Sequence, residues 1–246
     1  MSPRWGMFLL PVLCNWWSGV AAPLHRLVVT TQGAVRGYYA PQPPHYVYRG
    51  VPYARPPTNY DRFKAPEPPP PWSGIFEATH RVRCPQPDGS GEENCLVLNI
   101  FVPERAAASP VLVHFHGGGF QRGWGFHTGP RRLLEQGFVV VSFNYRLGVL
   151  GFLCLGLPDV LGNTGLKDQI AALYWIHRNI DKFGGDPGDV TAYGTGMLHF
   201  YKLNSLLQVG LPYFWKVYVF AVALISVQEC KLYWKKLTKT QKYGQI

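Results

Sequence analysis

The sequence predicts an α/β fold with a mostly parallel central sheet. Residues 111–115 and 138–143 are continuous apolar runs with β-branched residues and turns at both ends, which is typical of strands buried on both faces. Residues 168–183 carry apolar side chains at near-helical spacing, and Gly184-Gly185 ends that helix. A short strand follows at residues 189–193. The order strand, strand, helix, strand indicates a sheet flanked by helices.

The residues before this core predict further strands and an extended segment. Residues 27–31 and 34–39 straddle Gln32-Gly33, which is the pattern of a β-hairpin. Residues 96–102 form another apolar run of strand length. Residues 41–71 are rich in proline and should form an extended excursion on the surface.

The positive charge of the chain is concentrated near its C-terminal end. The net charge is +10 over 246 residues, yet residues 197–246 alone hold seven Lys and one Glu. Residues 1–196 hold 17 basic and 13 acidic side chains, without basic residues arranged along a groove-fitting element among stacking aromatics. We therefore expect no nucleic-acid partner.

The first 22 residues resemble a secretory signal peptide. One positive charge at Arg4 precedes the apolar run 5–17, and the small-residue stretch 18–22 follows. The run is short for a membrane span, which needs about 20 apolar residues. A buried N-terminal segment is the alternative interpretation. A cleaved signal places residues 23–246 in the secretory pathway, with an extracellular or cell-surface destination.

An oxidising compartment favours pairing between cysteines. Cys84 and Cys95 enclose a polar, turn-rich loop that closes easily, so a disulfide between them is favoured over two free thiols. Cys14 would leave with the signal, and Cys154 lies in an apolar stretch where a buried, inert thiol is the ordinary interpretation.

The composition changes after residue 196. Residues 1–196 contain 14 Arg and 3 Lys, whereas residues 197–246 contain no Arg and 7 Lys. Residues 197–246 are therefore interpreted as an unrelated, Lys-rich apolar tail. Within it, residues 209–227 carry one charge, Lys216, and a Lys-rich flank follows, so this segment is a candidate membrane span.

A glycine run follows the apolar strand at residues 111–115. His116-Gly117-Gly118-Gly119-Phe120 leaves backbone N–H groups unshielded by any Cβ, so they can converge on an anion. Glycine runs also make ordinary turns, so the run alone is weak support for such a site. In lipases and esterases a loop of this type forms the oxyanion hole.

Further motifs occur in the order found in one known family. They are Tyr48-Arg49-Gly50-Val51-Pro52-Tyr53-Ala54, Glu93-Asn94-Cys95-Leu96-Val97-Leu98-Asn99-Ile100, Asn144-Tyr145-Arg146-Leu147-Gly148, Gly162-Asn163-Thr164-Gly165-Leu166-Lys167-Asp168-Gln169 and Phe183-Gly184-Gly185-Asp186-Pro187. Together they resemble the type-B carboxylesterase and cholinesterase family of α/β-hydrolases over residues 27–196. The chain is thus identified as the N-terminal, incomplete part of an α/β-hydrolase fold, with residues 23–196 as a partial carboxylesterase domain.

The resemblance implies a set of site and structural residues. It places the oxyanion donors at Gly118 and Gly119, and it implies the disulfide between Cys84 and Cys95. It also implies two structural ion pairs, Arg49–Glu93 and Arg146–Asp168. We expect no cofactor and no metal, and the substrate of the family is a small-molecule carboxylic ester.

The nucleophile position departs from the family. A Gly-x-Ser-x-Gly elbow should follow the last strand, but Gly196 stands where the serine belongs. Thr195 carries a hydroxyl one place early, where its side chain has a different direction, and His116 and His199 are interpreted as structural or solvated. The family's acidic and histidine triad members lie far beyond the elbow, and residues 197–246 do not resemble that region. We expect no catalytic residue in this chain.

Two function classes remain. The first is a truncated, carboxylesterase-type-B-like secretory protein without ester hydrolase activity. The second is a non-catalytic adhesion or recognition protein with a protein partner at the cell surface, like the neuroligin- and neurotactin-like relatives that keep the fold without the serine. In either class the strand at residues 190–193 is expected to lack a neighbour on one edge, so that the chain forms no stable soluble monomer by itself.

Overall fold

The apolar runs become neighbouring strands of one sheet in the computed structural model, which describes residues 24–126, 130–195 and 216–220. Nine strands are present in these residues: β1 His25–Val29, β2 Ala34–Pro41, β3 Pro44–Pro52, β4 Ile75–Glu77, β5 Val97–Pro103, β6 Ser109–Phe115, β7 Val139–Phe143, β8 Gly185–Thr195 and β9 Lys216–Phe220. Three α-helices accompany them: α1 Arg131–Glu135, α2 Gly148–Phe152 and α3 Thr164–Asn179. The predicted α/β class is confirmed.

The sheet is mixed, with the parallel strands at one side. Its order is β1-β2-β3-β5-β7-β6-β8-β9, and β4 pairs separately with β2. The first five strands of this order pair antiparallel, and β7, β6, β8 and β9 pair parallel. The parallel arrangement therefore holds for the runs that the sequence identifies as buried on both faces, whereas the N-terminal hairpin and its neighbours are antiparallel.

Helices cover both faces of this sheet. Leu173 and Ile176 of α3 are fully buried in the larger core cluster, together with residues of the central strands such as Val113. Leu134 of α1 belongs to a second cluster with Phe101 and the alternate residues of neighbouring strands. Because successive side chains of a strand point to opposite faces, the two clusters lie on opposite sides of the sheet.

The predicted helix is present, and it begins earlier than its apolar pattern. α3 begins at Thr164 and ends at Asn179, and a short 3₁₀ helix, Ile180–Phe183, completes the segment. The hydroxyl of Thr164 donates to the carbonyl oxygens of Leu150 (3.0 Å) and Gly151 (3.1 Å). The first turn of α3 is thus attached to α2 by a polar contact that apolar periodicity does not detect.

The proline-rich segment differs from its prediction. Residues 44–52, inside the predicted surface excursion 41–71, form β3, which pairs antiparallel with both β2 and β5 and is mostly buried. The excursion begins only after β3, because the prolines at the ends of the strand leave seven interior residues able to bond to their neighbours.

The expected free edge of β8 is occupied. β9 pairs parallel with β8, and Thr191 lies opposite Lys216 in that register. The expectation that residues 190–193 lack a neighbour is therefore wrong, since a segment from the Lys-rich tail fills this position. The predicted membrane segment 209–227 lies outside the described residues except for residues 216–220, which form this strand. Among the described residues, no helix has the length and apolar character to cross a membrane. The predicted signal, residues 1–22, also lies outside them.

Candidate functional site

The site predicted from the glycine run lies at the carboxyl edge of the parallel strands. β6 and β8 are parallel neighbours, and Phe115 lies opposite Gly194 in their register. The glycine loop leaves β6 directly after Phe115, and β8 ends at Thr195. A Cβ on Gly194 would lie 2.4 Å from the Phe115 carbonyl oxygen, so this close approach requires glycine. The topology therefore places the glycine loop beside the chain that leads into the nucleophile position.

The glycine loop is a tight turn with exposed backbone donors. Gly118 and Gly119 have φ angles of 123° and 62°, which are accessible mainly to glycine. The carbonyl oxygen of Gly118 accepts from the backbone N–H groups of Gln121 (3.1 Å) and Arg122 (3.2 Å). Within the described residues, the N–H groups of Gly118 and Gly119 have no backbone acceptor. An oxyanion hole requires unpaired donors of this kind, so the described part of the loop is compatible with the prediction.

Two contacts from the segment after β7 hold the glycine loop. The hydroxyl of Tyr145 donates to the His116 carbonyl oxygen at 2.7 Å, and the Tyr145 ring stacks on the His116 ring with centroids 4.2 Å apart. At the other end of the loop, the N–H of Gly148 donates to the Phe120 carbonyl oxygen at 2.6 Å.

His116 is a buried, neutral member of this loop. Burial lowers the pKa of His116 to about 4, although a backbone hydrogen bond with Gly117 opposes the change. A neutral imidazole stacked on Tyr145 agrees with the interpretation of His116 as a structural residue.

A third contact comes from the disulfide loop and was not foreseen. The Gln86 side-chain amide donates to the carbonyl oxygens of Cys84 (2.8 Å) and Gly123 (2.9 Å), and its oxygen accepts from the Gly123 N–H (2.9 Å). Gln86 thus links the glycine loop to the loop that the disulfide closes. No sequence signal distinguishes this glutamine from a solvated one.

The disulfide and one of the two expected ion pairs are present. Cys84 and Cys95 are bonded, with Cα atoms 4.9 Å apart. Arg146 and Asp168 are 2% and 0% exposed, and Arg146 donates to Asp168 from its backbone N–H (3.0 Å), Nε (2.8 Å) and Nη2 (2.5 Å). Burial raises the pKa of Asp168, and the hydrogen bonds and charge of Arg146 oppose that rise.

The other expected ion pair, Arg49–Glu93, is wrong, because Glu93 has a different arginine as its partner. Glu93 pairs with Arg62 instead, and Arg62 Nη2 donates to its Oε2 at 3.1 Å. The guanidinium of Arg49 lies over the ring of Phe126, 4.8 Å from its centroid. Arg49 lies next to Gly50, where the register of β3 against β5 shifts between Arg49 and Val51. Spacing in the sequence could not choose between the two arginines.

The predicted nucleophile position lies outside the described residues. Gly196 and His199 fall there, and of Thr195 only the backbone, as the last residue of β8, is described. The structure thus brings together the two segments that frame the site. Within the described residues, no three His, Cys, Asp or Glu side chains are grouped so that they could hold a metal ion.

A sheet of this topology, with a glycine loop after one parallel strand and a second parallel strand beside it, belongs to the α/β-hydrolase class. Residues 25–197 match the sequence model of the carboxylesterase family, and the chain belongs to that family.

Similarity to individual esterases supports this assignment. Esterase E4 from Myzus persicae is 47% identical over 163 residues, which are 61% of this chain and 30% of that protein. Juvenile hormone esterase from Tribolium castaneum is 41% identical over 187 residues, covering 70% of this chain and 32% of that protein. Among solved structures, a PNB esterase matches with a TM-score of 0.65 and 40% identity, covering 70% of this chain and 38% of the other. The chain spans about a third of the length of these curated relatives.

Proposed function

We propose that this chain is a secretory carboxylesterase-family protein that retains the oxyanion loop but does not hydrolyse esters in this form. The observation that carries the proposal is Gly196, which occupies the position where the family's elbow motif has its serine. The strand that leads to this position keeps its pairing with β6. This pairing extends to Gly194, two residues before Gly196, and supports the alignment of the elbow.

The chemistry of ester hydrolysis explains why this position decides the activity. A serine hydroxyl attacks the ester carbonyl, and backbone N–H groups stabilise the oxyanion of the tetrahedral intermediate. Gly118 and Gly119 can supply the second function, but glycine has no side chain to supply the first. In subtilisin, loss of the nucleophile lowers turnover by about a million-fold, which leaves only the oxyanion hole and substrate binding. We expect a similar loss here.

An activated ester and a covalent probe test the absence of activity. The full chain, purified from culture medium, should hydrolyse a short-chain p-nitrophenyl ester at the background rate and should not react with a fluorophosphonate. Thr195→Ala is the matched control, because it removes the nearest hydroxyl and should change neither result. Turnover or labelling that persists through repurification and disappears in Thr195→Ala would show that Thr195 is the nucleophile.

The secretory assignment is a separate part of the proposal. Its support is the signal-like pattern of residues 1–22 and the disulfide between Cys84 and Cys95, since disulfides persist mainly in oxidising compartments. Cleavage near Ala22 is expected. N-terminal sequencing of secreted material checks it, and a mature chain that begins at Met1 would contradict it.

A non-catalytic recognition role at the cell surface is the second candidate. It is favoured by the combination of a lost serine and a retained framework, since Gly194 still allows the close approach to Phe115. Residues 209–227 are a candidate anchor for such a role. Sequenced transcripts discriminate between the two: a splice form with Gly-x-Ser-x-Gly after β8 and a downstream acid and histidine would favour an esterase. A glycine or alanine in every form would favour recognition.

A further inference from the structure

Arg122 is the one charged side chain of the glycine loop, residues 116–123, at neutral pH. Burial lowers the pKa of His116 to about 4, so this imidazole is neutral. Arg122 is exposed, and its backbone N–H donates to the Gly118 carbonyl oxygen at 3.2 Å. Among the described residues, no carboxylate oxygen lies within 4.0 Å of its guanidinium, and no aromatic ring lies beneath it. Within the described part of the chain, the positive charge of the loop is therefore unpaired.

The same turn carries the backbone donors predicted for the oxyanion hole. Gly118 has a φ of 123°, and a Cβ there would clash with the Arg122 carbonyl oxygen and lie 3.3 Å from Arg122 Cγ. Only glycine permits this approach, which brings the stem of the arginine against Gly118. The N–H groups of Gly118 and Gly119 have no backbone acceptor among the residues that the structure describes. A flexible cation and two backbone donors thus belong to one short turn.

Apolar side chains adjoin this turn. Phe120, which follows Gly119, is half-buried, and the centroid of its ring lies 4.6 Å from that of Phe152. The N–H of Gly148 donates to the Phe120 carbonyl oxygen at 2.6 Å, and the next residue, Val149, is 65% exposed. The loop therefore offers donors for an anion next to apolar surface that a hydrocarbon group can cover.

We propose that the glycine loop binds the carboxylate of a small apolar carboxylic acid, and that Arg122 selects this anion over a neutral ester. The inference rests on the proposed function, in which residue 196 supplies no nucleophile. The two oxygens of a carboxylate accept about four hydrogen bonds, which the fork of one guanidinium and the N–H groups of Gly118 and Gly119 can supply. An ester carbonyl has one acceptor oxygen and no net charge, so it gains less from the arginine. The ligand class is thus the acid product of ester hydrolysis, bound without turnover.

Calorimetric titration of the full chain with phenylacetate tests the site, with phenylacetamide as the uncharged ligand of the same shape. We expect saturable binding of phenylacetate and about tenfold or weaker binding of phenylacetamide, since the loss of a charge-assisted hydrogen bond corresponds to about that factor. Arg122→Gln should lower the phenylacetate affinity by a similar factor. Arg105→Gln removes another exposed arginine, outside the loop, and is the matched control that should leave the affinity unchanged.

Arg122→Lys separates the charge from the geometry of the guanidinium, because lysine keeps the charge and lacks the planar fork. Its phenylacetate affinity should lie between those of the wild type and Arg122→Gln. Arg122 is exposed, so these replacements should leave folding intact. Amide NMR of isotope-labelled protein locates the ligand: the N–H resonances of Gly118 and Gly119 should shift as phenylacetate saturates the site, because these groups gain an acceptor.

The proposal is overturned if phenylacetate gives no saturable heat, if phenylacetamide binds as strongly, or if Arg105→Gln lowers the affinity as much as Arg122→Gln. It is also overturned if phenylacetate binds while the amides of Gly118 and Gly119 do not shift, since the anion then lies elsewhere. Ester hydrolysis would instead contradict the proposed function, and the p-nitrophenyl ester assay measures it separately from binding.

Discussion

Replacement of Asp168 by asparagine should remove a large part of the stability of the fold. Asparagine has the shape of aspartate and keeps one acceptor oxygen, but it leaves the guanidinium of Arg146 without its counter-charge. Arg146 and Asp168 are 2% and 0% exposed, so water cannot replace the lost carboxylate. Removal of one partner from a buried ion pair costs about 3–5 kcal/mol. Native domains are stable by only about 5–15 kcal/mol, so the loss is a substantial fraction of the total.

The effect should extend beyond the pair. Nη1 of Arg146 also donates to the carbonyl oxygens of Arg62 (3.0 Å) and Lys64 (2.8 Å), and Arg62 pairs with Glu93 beside the disulfide. A displaced Arg146 therefore loosens the segment after β3 and its attachment to the disulfide loop.

Urea unfolding followed by tryptophan fluorescence measures the loss, with the free energy obtained by linear extrapolation. The matched control is Glu135→Gln, which breaks the exposed pair between Arg131 and Glu135 of α1, whose atoms are 2.9 Å apart. An exposed pair of this kind is worth less than about 0.5 kcal/mol. If Asp168→Asn is too unstable to purify, its secreted yield relative to Glu135→Gln replaces the unfolding curve. Equal stability or equal yield for the two variants would refute the reasoning.

Two further predictions concern the disulfide and the buried ring of His116. Replacement of both Cys84 and Cys95 by serine should lower the free energy of unfolding by about 2–3 kcal/mol, because the bridge limits the unfolded chain. Non-reducing peptide mapping that finds either wild-type cysteine alkylatable in folded protein would contradict this. The pKa of His116 is lowered to about 4 in the fold, below the usual value of about 6.5. The unfolded chain therefore binds this proton first, so the free energy of unfolding is highest above pH ~6.5 and falls as the pH drops towards 4. The shift corresponds to about 3 kcal/mol, and the stability of His116→Gln should fall less than that of the wild type over this range; identical pH profiles would count against it.

The strands and the long helix could be predicted because each has a local apolar pattern: a continuous run in the strands and a helical spacing in the helix. All five residues of β7 are buried, and Leu173 and Ile176 of the apolar pattern of α3 are buried in the core. The start of α3 could not be predicted in this way. Thr164 and Gly165 are buried there by contacts with α2 and with Arg146 and Phe152, which lie elsewhere in the sequence.

The ion pair of Glu93 shows a different limit. The resemblance implied Arg49 as the partner of Glu93, and Arg62 carries the same charge. The choice depends on three-dimensional positions: Gly50 has a φ of 74°, and a Cβ there would lie 2.9 Å from the His80 carbonyl oxygen. The chain therefore passes close to residues 78–80 at this point, and Arg49 lies with Arg81 over Phe126 while Arg62 pairs with Glu93. Only the assembled structure decides this pairing.

The contacts that hold the oxyanion loop explain how the fold can keep this loop without a serine at residue 196. The loop is fixed by Gln86 from the disulfide loop and by Tyr145 and Gly148 from the segment after β7. None of these contacts involves the elbow. We therefore expect the predicted donors at Gly118 and Gly119 to keep their conformation whichever residue occupies position 196. On this account the glycine loop is a feature of the family's fold, and we propose that the identity of residue 196 decides between hydrolysis and another use of the same framework.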